Sequence, residues 1–511
     1  MLRPYTSTTR EGMMPQTRES LANDIWRACD ILRRDDNCGG VMEYVEHLAW
    51  LLFLRFLDAQ EEVWETEAAL EGRSYRRILD GDLRWSYWGR RDWDAEELLH
   101  FVHGRLIPYL QTLSGDPLRE TIRGVFTERN VVVAASGYNL KAVLAIIDGI
   151  DFHNQDDIFT VSHVYEELLR KLGNENRMAG EFFTPRPVVR FMVSVVGPRI
   201  GETVYDPACG TCGFLAESYV RMKEQVQRVE EWRTLQEQTF YGQEKKAVPA
   251  LLGTLNMVLH GVTAPHILRR NTLEESVLGA VQERYDAVLT NPPFGGTEGR
   301  HIQANFPVRS NATELLFLQH IMKKLKARDG ARCGMVVPEG TLFRGGAFAE
   351  VKKQLLEQFN LHTVVSLPPG TFAPYSDVKT ALIFFERPGP TREVWYYEMG
   401  LPEGLKKFSK GSPIQDEHFA EARELWRVWD AYRRGERPRP EPTDHSWIVS
   451  AEEIKERGYD LSAHNPNRAE AEVLPHPTEL TATLLERLRE MTAIVEDLHA
   501  MVGDEDENDE Q

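Results

Sequence analysis

The chain is poor in cysteine, and the spacing of its cysteines argues against a common kind of metal site. Five cysteines occur among 511 residues, at positions 29, 38, 209, 212 and 333. Only Cys209 and Cys212 form a C-x-x-C pair, whereas a structural zinc site of this type needs two such pairs. A redox role for the single pair is an alternative, but reduced cysteines in a core or a turn are the simpler interpretation. We therefore predict no metal site.

Long apolar runs are also absent. The strongest run, residues 48–57, is interrupted by Arg55, whereas a membrane-spanning helix needs ~20 consecutive apolar residues. The N-terminal residues are polar where a secretory signal would carry its apolar segment. With 42% hydrophobic residues, the chain can supply ordinary cores for roughly two to four domains. We expect a soluble, cytoplasmic protein without a membrane partner.

Positive charge is scarce, because 60 Lys and Arg stand against 79 Asp and Glu and leave a net charge of -19. Binding to duplex DNA depends on neutralising phosphates with basic side chains, so the chain is not expected to hold DNA by itself. Either basic groups are concentrated locally, or a partner holds the DNA, or both. Arg84, Arg90 and Arg91 interleave with four aromatic residues, but ordinary domain packing is the preferred interpretation of that patch.

Residues 206–213, Asp-Pro-Ala-Cys-Gly-Thr-Cys-Gly, have the pattern of a ligand-binding loop. They lie between a strand-like run and a helix-like segment, and glycines at 210 and 213 let a ligand approach the N–H groups of a helix start. Asp206 would end the strand, where a carboxylate can bind an amine or a hydroxyl. The dinucleotide fingerprint and the phosphate-loop lysine are missing. A cationic nucleoside such as S-adenosylmethionine fits an acidic loop better than pyrophosphate; a purely structural turn is the alternative.

A second segment, Asn291-Pro292-Pro293-Phe294, follows the strand-like run 285–290. Ligands of open α/β sheets bind at the carboxyl ends of strands, where this run would deliver Asn291. The Asn side-chain carbonyl and the Pro292 backbone carbonyl offer two acceptors to one NH2 group, and they would orient its lone pair toward an electrophilic methyl. Phe294 can stack on a planar base. A proline-rich turn is the alternative, but it requires neither Asn nor Phe.

In this order, the two segments resemble motifs of amino-methylating DNA methyltransferases, and most of the chain resembles the methylation subunit of type I restriction-modification systems. Residues 180–189 are similar to that family's additional cofactor motif, which precedes the glycine loop. Segments 334–343 and 458–462 extend the resemblance. Cys212 is a departure, because the family's donor loop usually has glycine there. The resemblance implies a methyl transfer from S-adenosylmethionine to adenine N6 of a base flipped out of the duplex.

The resemblance also implies a set of site residues. Asn291 and the Pro292 carbonyl would hold the adenine NH2 group on the rigid step to Pro293, with Phe294 stacked on the ring. Glu244, at the end of the strand-like run 239–244, would accept both ribose hydroxyls of the cofactor. Asn271 occupies a position where related enzymes often carry Asp against the cofactor adenine. The implied cofactor contacts are Glu181, Phe182, Phe183, Thr184, Pro185, Arg186, Asp206, Ala208, Cys209, Gly210, Glu244 and Asn271.

The distribution of elements predicts an α/β fold with helical flanks. Residues 1–155 are predicted as an N-terminal helical domain, and residues 156–395 as a Rossmann-like S-adenosylmethionine-dependent methyltransferase domain with helices on both faces of a mostly parallel sheet. The sheet pattern is predicted to end at 395. Residues 396–503 are predicted as a C-terminal helical region for partner docking, and residues 504–511 as an acidic disordered tail.

Three shorter segments carry further expectations. Residues 156–173 are predicted as a helix leading into the catalytic region, 295–311 as a mobile substrate loop, and 433–440 as a linker or exposed loop. An apolar seam spaced three or four residues apart is predicted to dock on a specificity subunit rather than on the chain's own domain. The seam consists of Leu480, Leu484, Leu488, Met491, Val495, Leu498 and Val502.

The expected partners follow from the resemblance. They are double-stranded DNA, a separate specificity subunit, a second copy of the chain and, as an optional partner, a restriction nuclease or translocase subunit. Two other functions are left open. A protein glutamine methyltransferase would place an amide NH2 group in the same Asn-Pro-Pro clamp, and a non-catalytic scaffold would bind the cofactor without using it.

Overall fold

The computed structural model describes most of the chain, in nine stretches and a few isolated positions. These are residues 18–70, 72–127, 131–152, 184–262, 265–281, 283–373, 376, 378–462 and 465–466, with positions 485, 487–489, 491–493 and 495. The chain divides into two compact units, Met1–Ala463 and His464–Gln511. The predicted helix at 156–173 and the predicted acidic tail at 504–511 lie outside the described residues.

The first part of the chain is helical, as predicted, because its apolar residues recur at helical spacing and meet in one core. Trp50, Trp85 and Trp88 are fully buried in that core. A π-helical turn, Val102–Leu106, joins two of the helices, and a 3-10 turn spans Gly81–Leu83. The helices are α1 Arg18–Leu32, α2 Val41–Leu70, α3 Trp85–Trp88, α4 Ala95–Phe101, α5 Ile107–Leu110, α6 Pro117–Thr127 and α7 Gly137–Asp148.

The arginine and aromatic patch of this domain is used internally. Trp85 and Trp88 of this patch are fully buried. Arg84 forms an ion pair with Glu62 at 3.2 Å, and Arg90 forms one with Asp148 at 2.7 Å. The Arg91 guanidinium lies over the Trp93 ring, 4.0 Å from its centre. These contacts support domain packing, the preferred interpretation, over a nucleic-acid surface.

A nine-stranded sheet follows in the described residues, with the order β3-β2-β1-β4-β5-β7-β6-β8-β9. Strands β3, β2, β1, β4 and β5 are mutually parallel, whereas β7 runs antiparallel between β5 and β6. Strand β8 is parallel to β6, and β9 is antiparallel to β8. The strands are β1 Val204–Asp206, β2 Phe240–Glu244, β3 His266–Arg269, β4 Ala287–Thr290, β5 Arg332–Pro338, β6 Asn360–Ser366, β7 Thr380–Glu386, β8 Glu393–Glu398 and β9 Ser446–Ser450.

Helices cover both faces of the sheet, which confirms the predicted Rossmann-like α/β fold. Successive strand residues alternate between the two cores; Val204 belongs to one and Tyr205 to the other. The first covering helix has Pro187 in its first turn and ends at Gly197, whose φ of 55° is left-handed. The helices are α8 Arg186–Val196, α9 Gly213–Lys223, α10 Val229–Glu237, α11 Ala247–Leu259, α12 Arg300–Gln303, α13 Thr313–Lys324, α14 Gly340–Phe343, α15 Ala347–Gln358, α16 Ala420–Arg433 and α17 Ala451–Glu456, with 3-10 turns at Thr272–Glu274 and Asp416–Phe419.

The prediction that the sheet pattern ends at 395 is wrong. Strand β8 extends from Glu393 to Glu398, and β9 adds a further strand after α16. The predicted boundary at 395 falls inside the aromatic run of β8. Strand β9 was not predicted because it is short and lies far along the chain from β8, its neighbour in the sheet. Residues 434–439, in contrast, form the exposed loop predicted at 433–440.

The described positions between 485 and 495 in the second unit are helical. Three residues of the predicted apolar seam are among them: Leu488 is 50% exposed, Met491 63% and Val495 61%. The other four seam residues lie outside the described part of the chain. In the parts that the structure describes, no helix combines the length and the apolar character needed to cross a bilayer.

Candidate functional site

Three of the predicted site residues come together at the carboxyl edge of the parallel strands. Asp206 ends β1, Glu244 ends β2, and Asn291 directly follows β4. Because β1 pairs with both β2 and β4 in parallel register, these three strand ends are neighbours. This edge is where open α/β sheets bind ligands.

The loop from Asp206 to Gly213 is held by hydrogen bonds to the strand ends. The Asp206 carboxylate accepts one from the Ala208 N–H at 3.0 Å. The Cys209 N–H donates to the Gln243 carbonyl at 3.0 Å, and the Gly210 N–H donates to the Glu244 carboxylate at 3.1 Å. Residues 208–210 of the turn are therefore tied to β1 or β2, and this part of the loop is shaped before a ligand arrives.

Cys212 adopts a backbone conformation that glycine normally supplies. Its φ of 60° and ψ of 30° are left-handed, a region that costs an ordinary residue roughly 1–2 kcal/mol. Glycine is the usual residue at this position of the resembling loops. The loop thus keeps the left-handed turn in spite of the substitution, and α9 begins at the next residue.

The two loop cysteines are buried, unbridged thiols. A hydrogen bond with Cys212, together with burial, raises the pKa of the Cys209 thiol well above its ordinary value. A reactive redox cysteine needs the opposite shift, so the structure argues against the redox alternative. Across the described stretches, no group of His, Cys, Asp and Glu side chains is arranged to hold a metal ion.

The two carboxylates at the strand ends are both withdrawn from solvent. Asp206 is 1% exposed and Glu244 8%. Burial raises the pKa of Asp206 to about 7, and the charge of Glu244 adds to the shift. Burial also raises the pKa of Glu244, which accepts a second hydrogen bond from the Lys246 N–H at 2.8 Å. A ligand that brings positive charge and hydroxyl groups would stabilise the ionised form of both side chains.

Asn291 has an unused acceptor. Its amide nitrogen donates to the Thr184 hydroxyl at 3.0 Å, but its buried carbonyl oxygen has no hydrogen-bond partner among the described residues. A buried acceptor without a partner costs about 1–3 kcal/mol. Such a cost is expected where a substrate NH2 group supplies the missing hydrogen bond.

The aromatic residue of the clamp has a neighbour that was not predicted from the sequence. Phe294 is half-buried, and its ring meets the buried Phe372 edge-on, with centres 6.1 Å apart and planes at 84°. Pro292 is buried and Pro293 exposed. Phe372 follows β6 in a turn with two prolines and a glycine, a weaker sequence signal than the Asn-Pro-Pro-Phe segment itself.

Part of the predicted extra motif joins the donor loop to the clamp. Thr184 contacts Asn291, as described, and Arg186 donates to the Gly213 carbonyl at 3.0 Å. Pro185 caps the amino end of α8. Glu181, Phe182 and Phe183 lie outside the described residues.

Asn271 caps a 3-10 turn, and its side-chain oxygen accepts a hydrogen bond from the Leu273 N–H at 3.3 Å. The next residue was not predicted, yet it contacts the donor loop. The buried Thr272 hydroxyl donates to the Pro207 carbonyl at 2.6 Å and lies 2.9 Å from the Gln243 amide. A role of Asn271 at the cofactor adenine stays a prediction.

The segment after the clamp closes on itself. The Glu298 N–H donates to the Asn311 carbonyl at 2.9 Å, and the Thr313 N–H donates to the Gly296 carbonyl at 3.3 Å. The loop contains α12 and leads directly into α13. The two ends of this segment are therefore joined close to Phe294 in the chain. The predicted mobility of residues 295–311 stays a prediction.

These features satisfy the requirements of one cofactor. A glycine turn with two buried carboxylates suits a cationic nucleoside. The Asn291 oxygen, which has no partner in the described part of the chain, suits an NH2 group that accepts a methyl. Fold and site together define an S-adenosylmethionine-dependent methyltransferase that acts on an amino group.

Comparison with known proteins narrows this class to one family. Residues 154–473 match the family described as N-6 DNA Methylase, and residues 21–147 match the HsdM N-terminal domain. The chain belongs to the N-6 DNA methylase family, as a methylase subunit of the type I restriction-modification kind. Its activity is the transfer of a methyl group from S-adenosylmethionine to adenine N6 in DNA. This assignment sets aside the glutamine methyltransferase and scaffold alternatives.

Three relatives illustrate how much of the chain the likeness covers. The type I restriction enzyme EcoEI methylase subunit of Escherichia coli is 36% identical over 493 residues, 95% of this chain and 98% of the relative. The EcoKI methylase subunit of Escherichia coli strain K12 is 30% identical, over 85% of this chain and 80% of the relative. A solved chain of a type I R-M system is 71% identical with a TM-score of 0.81, covering 96% of this chain and 99% of that chain.

Proposed function

We propose that Asn291, Pro292, Pro293 and Phe294 form the adenine site of this methyltransferase, and that the loop from Asp206 to Gly210 holds the cofactor. The observation that supports the proposal most directly is the buried Asn291 carbonyl oxygen, which lacks a partner among the described residues. It stands at the carboxyl end of β4, one strand from the loop that follows β1. This position supports a role of the Asn291 oxygen as the acceptor for the substrate amine, next to the donor loop.

The chain's own residues orient the reactants. S-adenosylmethionine, when bound, supplies an electrophilic methyl group on a sulfonium. The Asn291 and Pro292 carbonyls accept the two N6 hydrogens and thereby turn the nitrogen lone pair away from the clamp. The hydrogen bond from the Asn291 amide to Thr184 fixes which side-chain atom faces the substrate. Phe294 stacks on the flipped base, and stacking worth about 1–3 kcal/mol offsets part of the few kcal/mol needed to flip it.

Cofactor recognition is assigned to the buried carboxylates and their surroundings. Glu244 accepts the ribose hydroxyls, and Asp206 faces the cationic part of the cofactor across the turn. Ala208, Cys209 and Gly210 line the turn, and Asn271 contacts the cofactor adenine. The predicted contacts of the extra motif are Glu181, Phe182, Phe183, Thr184, Pro185 and Arg186.

We propose double-stranded DNA as the substrate, in the cytoplasm, with a separate specificity subunit that selects the target. The net charge of -19 supports this division, because the chain has few basic groups to spare for a duplex. Exposed apolar residues at 488, 491 and 495 support a helical docking surface in the C-terminal unit. A restriction nuclease or translocase subunit and a second copy of the chain are proposed as further members of the complex.

Sequencing of host DNA for N6-methyladenine tests the proposed adenine site. The chain and its specificity subunit are co-expressed, either as wild type or with Asn291→Ala. Asn360→Ala is the matched control, because Asn360 is a partly buried amide at the start of β6 that bonds Glu386 at 3.3 Å, away from the site. We expect a methylated DNA motif with wild type and Asn360→Ala and none with Asn291→Ala. Full methylation by Asn291→Ala would refute the assignment of the clamp.

A further inference from the structure

Helix α11, Ala247–Leu259, contacts both the donor loop and the N-terminal helical domain. Its sequence, AVPALLGTLNMVL, is apolar except for one threonine and one asparagine. It begins just after Glu244, the proposed ribose ligand. One side touches the donor loop, and the other lies in the core of the N-terminal helical domain.

Asn256 makes the contact with the donor loop. The side chain is fully buried, and its amide nitrogen donates to the Thr211 carbonyl at 2.8 Å. Its carbonyl oxygen has no partner in the described part of the chain. A buried amide with an unsatisfied oxygen is costly in an apolar helix, and the single hydrogen bond that it makes goes to the cofactor turn.

Gly253, one turn earlier on the same face, allows the helix to approach this closely. A Cβ atom at Gly253 would stand 2.7 Å from the Cys212 sulfur and 2.8 Å from the Gly210 carbonyl oxygen. Both distances are shorter than real contacts, and the second involves backbone that cannot rotate aside. The glycine and the asparagine thus place the helix directly against residues 210–212.

The opposite side of the helix is anchored elsewhere. Its apolar side chains belong to the same buried cluster as those of α1, α2 and α7, and the helix packs on α2 and α6. The anchoring residues are Leu251, Leu252, Leu255, Val258 and Leu259. Since packed cores transmit displacements rather than absorb them, the position of the N-terminal domain fixes the position of the helix.

We propose that α11 is the positioning element of the donor loop, with Asn256 as its positioning residue, and that it sets the cofactor site from the N-terminal domain. The proposal rests on the donor-loop site proposed above. Asn256 touches neither cofactor nor substrate; it holds the Thr211 carbonyl, so that the turn at Gly210 keeps the shape that binds the cofactor. The leucine face makes cofactor affinity depend on a domain that does not contact the cofactor.

The test is the affinity for S-adenosylmethionine, measured by calorimetry on the full-length chain in complex with its specificity subunit. Loss of one neutral hydrogen bond predicts that Asn256→Ala raises Kd about fivefold to tenfold. KM for the cofactor should rise by a similar factor, while kcat and the affinity for duplex DNA change less than about twofold. Thr254→Val is the matched control on the same helix, because the Thr254 hydroxyl donates to the Ala250 carbonyl of its own helix at 2.9 Å.

A second pair of variants distinguishes an effect on the position of the donor loop from a general loss of folding stability. Leu255→Ala removes an anchor of α11, whereas Leu144→Ala opens the same core in α7, a helix that packs mainly on α1, α2 and α4. We expect both to lower the melting temperature and only Leu255→Ala to raise the Kd. Equal Kd values for Asn256→Ala and wild type, or equal increases for Leu255→Ala and Leu144→Ala, would overturn the inference.

Glu244→Ala, measured in the same titration, distinguishes this failure from failure of the site. If Glu244→Ala weakens binding and Asn256→Ala does not, the positioning role is wrong and the cofactor site stands. If neither variant changes the Kd, the proposed donor-loop site is wrong and the inference falls with it.

Discussion

The buried carboxyl group of Asp206, at the proposed cofactor site, is expected to make cofactor binding depend on pH. Burial, with a contribution from Glu244, raises its pKa to about 7, so about half of the unliganded molecules carry the proton at neutral pH. The cofactor is cationic and favours the ionised carboxylate. Binding must therefore release a proton, and by linkage affinity falls wherever the unliganded protein is protonated.

The size of the effect follows from a pKa of about 7. Below that pH the Kd rises about tenfold per unit, so we expect a Kd about tenfold higher at pH 6 than at pH 8. Calorimetry in buffers of different ionisation enthalpy should find nearly one proton released at pH 6. Asp206→Asn removes the carboxyl group and should abolish both the slope and the proton release. A flat wild-type profile, or an unchanged slope in the variant, would refute the reasoning.

The same carboxyl group affects folding stability with a defined sign. Its pKa is raised in the folded state from 3.8 to about 7, so its stabilising contribution is complete below pH 4 and is lost as pH rises through 7. The shift corresponds to at most about 4 kcal/mol. Without cofactor, Asp206→Asn should therefore be more stable than wild type at pH 8 in denaturant unfolding, and this advantage should disappear near pH 4.

Two other predictions concern DNA and the specificity subunit. Phe294→Ala should lose about 1–3 kcal/mol of stacking, which lowers kcat/KM about fivefold to 150-fold. The fluorescence increase of 2-aminopurine at the target base, which reports base flipping, should be smaller than with wild type. Trp232→Ala, which alters an aromatic residue 39% exposed on α10, is the control and should act as wild type. Deleting residues 478–511 should abolish capture of the specificity subunit in a pull-down, while the remaining chain still binds S-adenosylmethionine; undiminished capture would remove the docking assignment from this segment.

Strands β1, β2 and β4 of the parallel half were predictable because each ends in, or directly precedes, a candidate binding or catalytic residue. Asp206, Glu244 and Asn291 each stand at the end of a short strand-like run, and parallel strands bring such ends to one edge. The antiparallel direction of β7 was not predictable in the same way. Strands buried on both faces read as continuous apolar runs whichever way they point. Strand β9 was missed because its partner β8 lies on the far side of a helix and a long loop.

The contacts that support the site were harder to predict than the site itself. Asn256 and Thr272 act through side-chain bonds to the carbonyls of Thr211 and Pro207, and nothing in local spacing identifies those partners. Phe372 reaches Phe294 from a different strand end. Such pairings depend on tertiary packing, whereas the motif residues are specified by their own short segments.

The shared core around α11 limits how this protein can change by recombination. Residues 21–147 and 154–473 match two separate sequence families, yet leucine and valine side chains from the second are buried in the core of the first. Exposing each of them would cost about 1.5–3 kcal/mol. A methylase region that acquired an N-terminal region from a distant relative would therefore lose stability unless the two surfaces matched. The two regions are therefore expected to be inherited together, whereas the DNA target can change through other subunits of the complex.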